Sequence, residues 1–302
     1  MYLSPYSIGL TSINATFAIA VLWHLLHSGD RRSRKDGILL VISYTISAIL
    51  TPFILKWSGS EPHGEDLLYV IGSLFFGGVL LVLMLIVIRN YSICRNKPEQ
   101  KRKHNYPDFL ESLRGIQDKH ISRDNSRKIL HVVLSIAPII IYAICLSSDQ
   151  YFKSQGIMQE FGVSGLTAGR GVNLLVYWGF SYMGTLEDLF RLNAFHCIPG
   201  WGRYWLHASL EKKEYYTFTA AVPFLLGHIP LLLATFPVFF SVSFMASLGD
   251  ASASFFGKRF GKHLLPNSPR KTWEGTLSGT LVTLATTLLW GLIFHPQQIA
   301  VC

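Results

Sequence analysis

The sequence predicts an all-α fold, a polytopic bundle of about eight transmembrane helices with its N-terminus outside the cytoplasm. Three observations carry that prediction. Half of the 302 residues are hydrophobic and only 15% are charged, whereas about a quarter are charged in soluble domains. The apolar residues gather into runs of about twenty, the length a helix needs to cross ~30 Å of hydrocarbon. The connections between the runs are basic on one side of the predicted membrane, as cytoplasmic loops are.

The runs lie at roughly residues 6–26, 37–55, 67–88, 129–146, 172–190, 218–236, 238–257 and 275–294. The fifth carries Glu187 and Asp188 near its end, and the seventh runs into Asp250. Met1 to Ser12 lack the basic flank of a secretory signal, so the first run reads as a retained span. Arg31, Arg32, Arg34 and Lys35 follow span one, and residues 89–128 hold eleven Lys/Arg against five Asp/Glu. Placing both loops in the cytoplasm puts the N-terminus outside. The same count puts Arg191, Arg203, Lys212 and Lys213, and then Lys258 to Lys271, on the cytoplasmic side. The chain thus reads as three N-terminal spans (1–90), a basic loop or short surface helix (91–126) and a second membrane domain (127–302).

Cys94, Cys145, Cys197 and Cys302 are far apart, with no metal-ligand or disulfide spacing. The net charge of +9 is explained by positive-inside topology and anionic headgroups. No nucleic-acid module accompanies it. Oligomerisation stays open.

One polar stretch interrupts the apolar pattern, Gly249 to Gly275. Asp250 is a carboxylate at the end of an apolar helix, where a charge is costly unless paired, hydrated or metal-bound. Ala251 to Ser254 are small enough for close approach of a ligand or another helix. Gly257 and Gly261 bracket Lys258 and Arg259, and Lys262 follows. Glycine lets the backbone near a phosphate, and Lys/Arg neutralise it. Ser268 and Pro269 suit the first turn of the last helix, whose N-terminus favours anions. Two carboxylates, Asp250 and Glu274, flank five basic residues, an arrangement suited to a magnesium–nucleotide. On spacing alone a basic connector with an ordinary helix cap is an equal reading.

The stretch resembles the signature of the CTP-using membrane transferases: the dolichol, phytol and diacylglycerol kinases that use CTP, and the phosphatidate cytidylyltransferases. Gly-Asp-x-x-Ala-x-x-x-Gly-x-x-Phe-Gly-Lys is met from Gly249 to Lys262, and Ser-Pro-x-Lys-Thr-x-Glu-Gly from Ser268 to Gly275. Arg127-Lys128-Ile129-Leu130-His131 resembles the Arg-Lys-x-x-His element of the lipid-kinase branch. Glu214, with Thr219-Ala220-Ala221 and Gly227, is a weaker resemblance, because Glu211 stands where the family tends to have Arg. The Ser268–Gly275 run is closer to the cytidylyltransferase branch. The chain stops at Cys302, where both branches normally continue with further helices. That disfavours a complete cytidylyltransferase.

The resemblance implies a CTP-dependent lipid kinase with CTP and Mg²⁺ entering from the cytoplasm and a lipid alcohol from the bilayer. Asp250 would bind the metal or activate the hydroxyl. Lys258, Arg259, Lys262 and Lys271 would neutralise phosphates, with Lys271 also counted as catalytic. Gly257, Gly261, Ser268 and Thr272 would line the nucleotide site, Glu274 would help the metal, and Arg127 and Lys128 would complete the site. Cytidylyl transfer to phosphatidate and a non-catalytic truncated relative are the alternatives. Bacterial plasma membrane and organelle membranes such as the endoplasmic reticulum fit equally.

Overall fold

A computed structural model describes residues 5–28, 31–57, 62–114, 133, 136–148, 151, 154, 165–210, 212–266 and 268–294. Among them helices dominate, and the strands form one two-stranded ribbon. Four helical stretches are long and apolar enough to cross a membrane: Ser7–His27, Arg34–Ile54, Gly77–Asn96 and Phe236–Phe260. They coincide with the first, second, third and seventh expected spans. The eighth falls on α12 (Trp273–Phe294), and the fifth on α7 (Gly165–Asn193). The described part of the fourth is the apolar helix α6 (Ile136–Ser148).

The sixth expected span needs correction. Residues 218–236 do not form one through-going helix. They form α9 (Ala221–His228), a 3-10 turn (Pro230–Leu233) and the start of α10 (Phe236–Phe244). Pro230 has no N–H to continue the α-helical ladder. The apolar piece Ala221–Leu233 spans about 20 Å at 1.5 Å per residue, short of the hydrocarbon thickness.

The chain divides into two compact units. One holds Met1–Ser126 and Tyr142–Pro230, the other Arg127–Ile141 and Leu231–Cys302. In the first, α1 (Pro5–His27) and α2 (Arg31–Trp57) form an antiparallel pair. Polar side chains lock it to α7. The Trp178 indole N–H donates to Ser47 Oγ at 2.8 Å, and Tyr44 Oη meets Thr185 Oγ1 at 2.7 Å. Phe17 stacks on Tyr182 at 4.7 Å. Hydrogen bonds between helices do in a membrane what apolar burial does in water.

Helix α3 (Pro62–Asn96) packs on α7. Leu81, Leu85 and Ile88 on its outer face stay exposed. The basic loop resolves into α4 (Pro98–Lys103) and α5 (Tyr106–Arg114). Leu110 and Leu113 of α5 close a small core with Phe195, Leu206 and Leu210, the last two at α8 (Gly200–Ser209) and its end.

Arg191 is not the loop charge that the sequence count made of it. It is fully buried against Asp188, with Nη2 2.6 Å from Oδ1. The remaining donors of Arg191 are filled by Tyr106 Oη and by the backbone oxygens of Glu214, Tyr215 and Thr217. Asp188 Oδ2 accepts from the N–H and hydroxyl of Thr219. Every lone pair this pair needs is met, which is what makes a buried charge pair tolerable.

Candidate functional site

In the second unit, α10, a π-helical turn (Met245–Gly249) and α11 (Asp250–Phe260) run as one rod from Phe236 to Phe260. Wide turns of this kind sit inside α-helices most often at functional positions. This one ends at Asp250. The sequence placed Asp250 at the inner end of its span. In the structure it stands ten residues before the rod ends at Phe260, about 15 Å by helical rise. Its side chain is exposed and has no hydrogen bond or ion pair among the described residues. An ionisable group inside a span, without a protein partner, is a functional feature by default.

Past Phe260 the chain turns back through a short antiparallel ribbon, β1 (Leu264–Leu265) and β2 (Ser268–Thr272), into α12. Thr272 caps α12, its Oγ1 accepting the Gly275 N–H at 3.2 Å, as N-cap threonines do. Glu274 is clamped in the first turn. Its Oε1 accepts from His263 Nδ1 at 2.6 Å, and the His263 backbone N–H lies 3.3 Å away. The backbone N–H of Glu274 itself, then the His263 ring, hold this carboxyl well below its ordinary range, at about 2.

Helix α12 runs antiparallel to α11 along a seam of small residues. A Cβ on Gly279 would lie 2.9 Å from Ala253 Cβ and 2.9 Å from the Gly249 oxygen. One on Gly275 would lie 2.6 Å from the Ala253 oxygen and 2.9 Å from Gly257 Cα. Gly249, Ala253 and Gly257 thus mesh with Thr283, Gly279 and Gly275, each set at a spacing of four. This is the close packing that small residues permit between membrane helices. Gly261 is also closed in, its missing Cβ 2.6 Å from Thr272 Cγ2. The side of Gly257 and Gly261 without a side chain therefore faces α12 and Thr272.

That antiparallel arrangement corrects one expectation. Asp250 and Glu274 do not share a single metal ion. Glu274 lies beside Gly275, which packs at the level of Gly257, seven residues and about 10 Å along α11 from Asp250. Helical side chains lean toward their own N-termini, and here those directions diverge. Among the described residues no three His, Cys, Asp or Glu gather as a metal cluster.

The basic residues spread over the same unit. Lys258 is exposed and lies at i+8 from Asp250, with Ser254 between them, so one helix face carries all three. Arg259 lies over the rings of Phe255 and Phe260 at 6.0 and 5.7 Å. Lys262 and Lys271 are exposed. Ser268 and Thr272 open and close β2. Arg127, Lys128 and His131 lie outside the described residues. In the first unit, Glu214 serves as a local clasp, its Oε1 accepting the Ala220 N–H at 3.1 Å at the head of α9.

Two features were not read from the sequence. The Asp188–Arg191 pair had its i, i+3 spacing as a signal, but both residues were counted as span-end charges. The π-turn has no composition signal.

Residues 207–302 match the cytidylyltransferase family model. The matched segment holds Glu214, the rod Phe236–Phe260, the ribbon and α12. No curated protein and no solved structure matches the chain.

Proposed function

We propose that this protein is a membrane-embedded lipid transferase using CTP, and specifically a kinase that moves the γ-phosphate of CTP to the hydroxyl of a lipid alcohol. The observation that carries the reading is Asp250, an unpartnered carboxylate inside an apolar helix, at a π-turn, within a segment that matches a CTP-using family. The lipid oxygen attacks the γ-phosphorus, the bond to the bridging β–γ oxygen breaks, and CDP leaves. Asp250 takes the hydroxyl proton. Such transfer rests on positioning and charge neutralisation. Lys258, Arg259, Lys262 and Lys271 supply positive charge for the phosphates. Arg127, Lys128, Ser268 and Thr272 complete the nucleotide site.

Magnesium fits Asp250, because this ion takes one or two carboxylates and fills its remaining positions with water and phosphate. Bound there, it would neutralise the triphosphate. The reading places eight spans in the membrane, the N-terminus outside and the site on the cytoplasmic face, where the basic segments are.

The family match favours a second reading, cytidylyl transfer. A phosphatidate oxygen would then attack the α-phosphorus and pyrophosphate would leave. The test is purified protein in detergent with CTP, magnesium and a lipid alcohol. CDP release that disappears in Asp250→Asn supports the kinase. Pyrophosphate with a CDP-lipid supports the second reading. An active Asp250→Asn variant overturns the assignment of Asp250.

A further inference from the structure

The first compact unit contains a cavity of about 130 Å³ between α3, α7 and the start of α8. Met84 and Val87 form one wall, Met183 and Leu186 another, and Trp201 flanks them. One ionisable group lines it, the carboxyl of Glu187. Glu187 has no hydrogen bond or ion pair among the described residues. Its cationic neighbour one helical turn on, Arg191, is already filled by Asp188, Tyr106 and three backbone oxygens. A carboxyl in apolar surroundings without a partner leaves a strong hydrogen-bonding group unmet.

The depth of this cavity can be read from α8. Trp201, Tyr204 and Trp205 follow an i, i+3, i+4 pattern on one face and are 60%, 78% and 50% exposed. Exposed Trp and Tyr on a membrane protein mark the headgroup level. Arg203 and His207 of the same helix line a separate polar cleft with His104 and Asp108, as expected for a helix lying at the membrane surface with one side to water. Trp201 belongs to both the aromatic face and the cavity wall. Glu187 is therefore offered to a molecule whose head lies at the interface and whose tail runs along the exposed apolar face of α3, with Leu81, Leu85 and Ile88.

We infer that this cavity binds a single long-chain lipid alcohol, with its hydroxyl on Glu187. A hydroxyl donates and accepts, so it satisfies the carboxyl in either protonation state. A phosphate or carboxylate head would meet a like charge. The inference needs no nucleotide and is tested without one, so its outcome is separate from that of the CTP reading.

The protein is placed in phosphatidylcholine nanodiscs with an octadecanol probe carrying a photoreactive diazirine in its tail. Labelled peptides are identified by mass spectrometry. Labelling is expected on α3 around Met84 to Val87 and on α7 around Met183 to Glu187. Unlabelled octadecanol should compete at least about tenfold better than octadecane, stearate or octadecylamine, the worth of one hydrogen bond to a polar buried group. Glu187→Gln, which still donates and accepts, should label within about threefold of the parent, and Glu187→Leu about tenfold less. Val87→Trp, filling the cavity from the other wall, should also lose labelling. Equal competition by all four compounds, better competition by the amine, or undiminished labelling of Glu187→Leu would overturn the inference.

Discussion

Replacing Gly279 by alanine introduces a methyl group where the seam between α11 and α12 has no room. The new carbon would lie 2.9 Å from Ala253 Cβ and 2.9 Å from the Gly249 oxygen. Carbon atoms settle at about 3.5–4.0 Å, so the helices must part by roughly 0.6–1 Å. The oxygen of Gly249 is backbone and cannot swing aside. Gly275→Ala is tighter, at 2.6 Å from the Ala253 oxygen. Overpacking of this kind costs about 1–3 kcal/mol, or roughly a 5- to 150-fold shift in the unfolding equilibrium. Gly227→Ala is the control. Its Cβ would meet nothing within 4 Å, and alanine is favoured over glycine inside a helix by up to about 1 kcal/mol. Unfolding by sodium dodecyl sulfate in mixed micelles, followed by far-UV circular dichroism, reads the difference. Gly275→Ala and Gly279→Ala should unfold at lower detergent fraction, and Gly227→Ala at the same or higher. If all three behave alike, the two helices are not in close contact and the packing account of these glycines fails.

Three further outcomes follow from the same structure. Asp188→Asn leaves the Arg191 charge buried without its counter-ion and should cost about 3–5 kcal/mol in the same unfolding assay. Thr272→Ala removes the cap on α12 and should cost about 1 kcal/mol, with faster amide exchange at Gly275. The depressed Glu274 carboxyl stabilises the ribbon–helix junction fully above its ordinary value of 4.5 and loses that contribution as pH falls toward about 2. Amide exchange at His263 should therefore accelerate, relative to its intrinsic rate, over that window, and Glu274→Gln should remove the dependence.

The membrane class of the chain was legible because length and hydropathy alone define a spanning helix, and α1, α2, the end of α3 and the Phe236–Phe260 rod are written that way. The sixth span was misread because proline breaks a helix without lowering hydropathy, and Pro230 lies inside an apolar run. Arg191 was misread because charge counting does not distinguish a solvated arginine from one enclosed by Asp188, Tyr106 and backbone oxygens. At the candidate site the sequence picked out Asp250 and the small residues, and left open whether those residues approach a ligand or a helix. The structure gives one answer for the faces of Gly257 and Gly275: they meet each other. That answer was out of reach because the four-residue spacing on α11 gains meaning only with its counterpart on α12. The depth of Asp250 was also missed, since the end of an apolar run is not the end of the helix that contains it.

The central claim, phosphoryl transfer from CTP to a lipid at Asp250, is tested most directly with CTP labelled at either the α- or the γ-phosphorus. The purified protein is given magnesium and a lipid alcohol, and the lipid phase is counted. The account predicts that the γ-label enters the lipid, the α-label stays in water as CDP, and Asp250→Asn lowers transfer at least about a hundredfold. Recovery of the α-label in the lipid, or transfer of neither label, would contradict it.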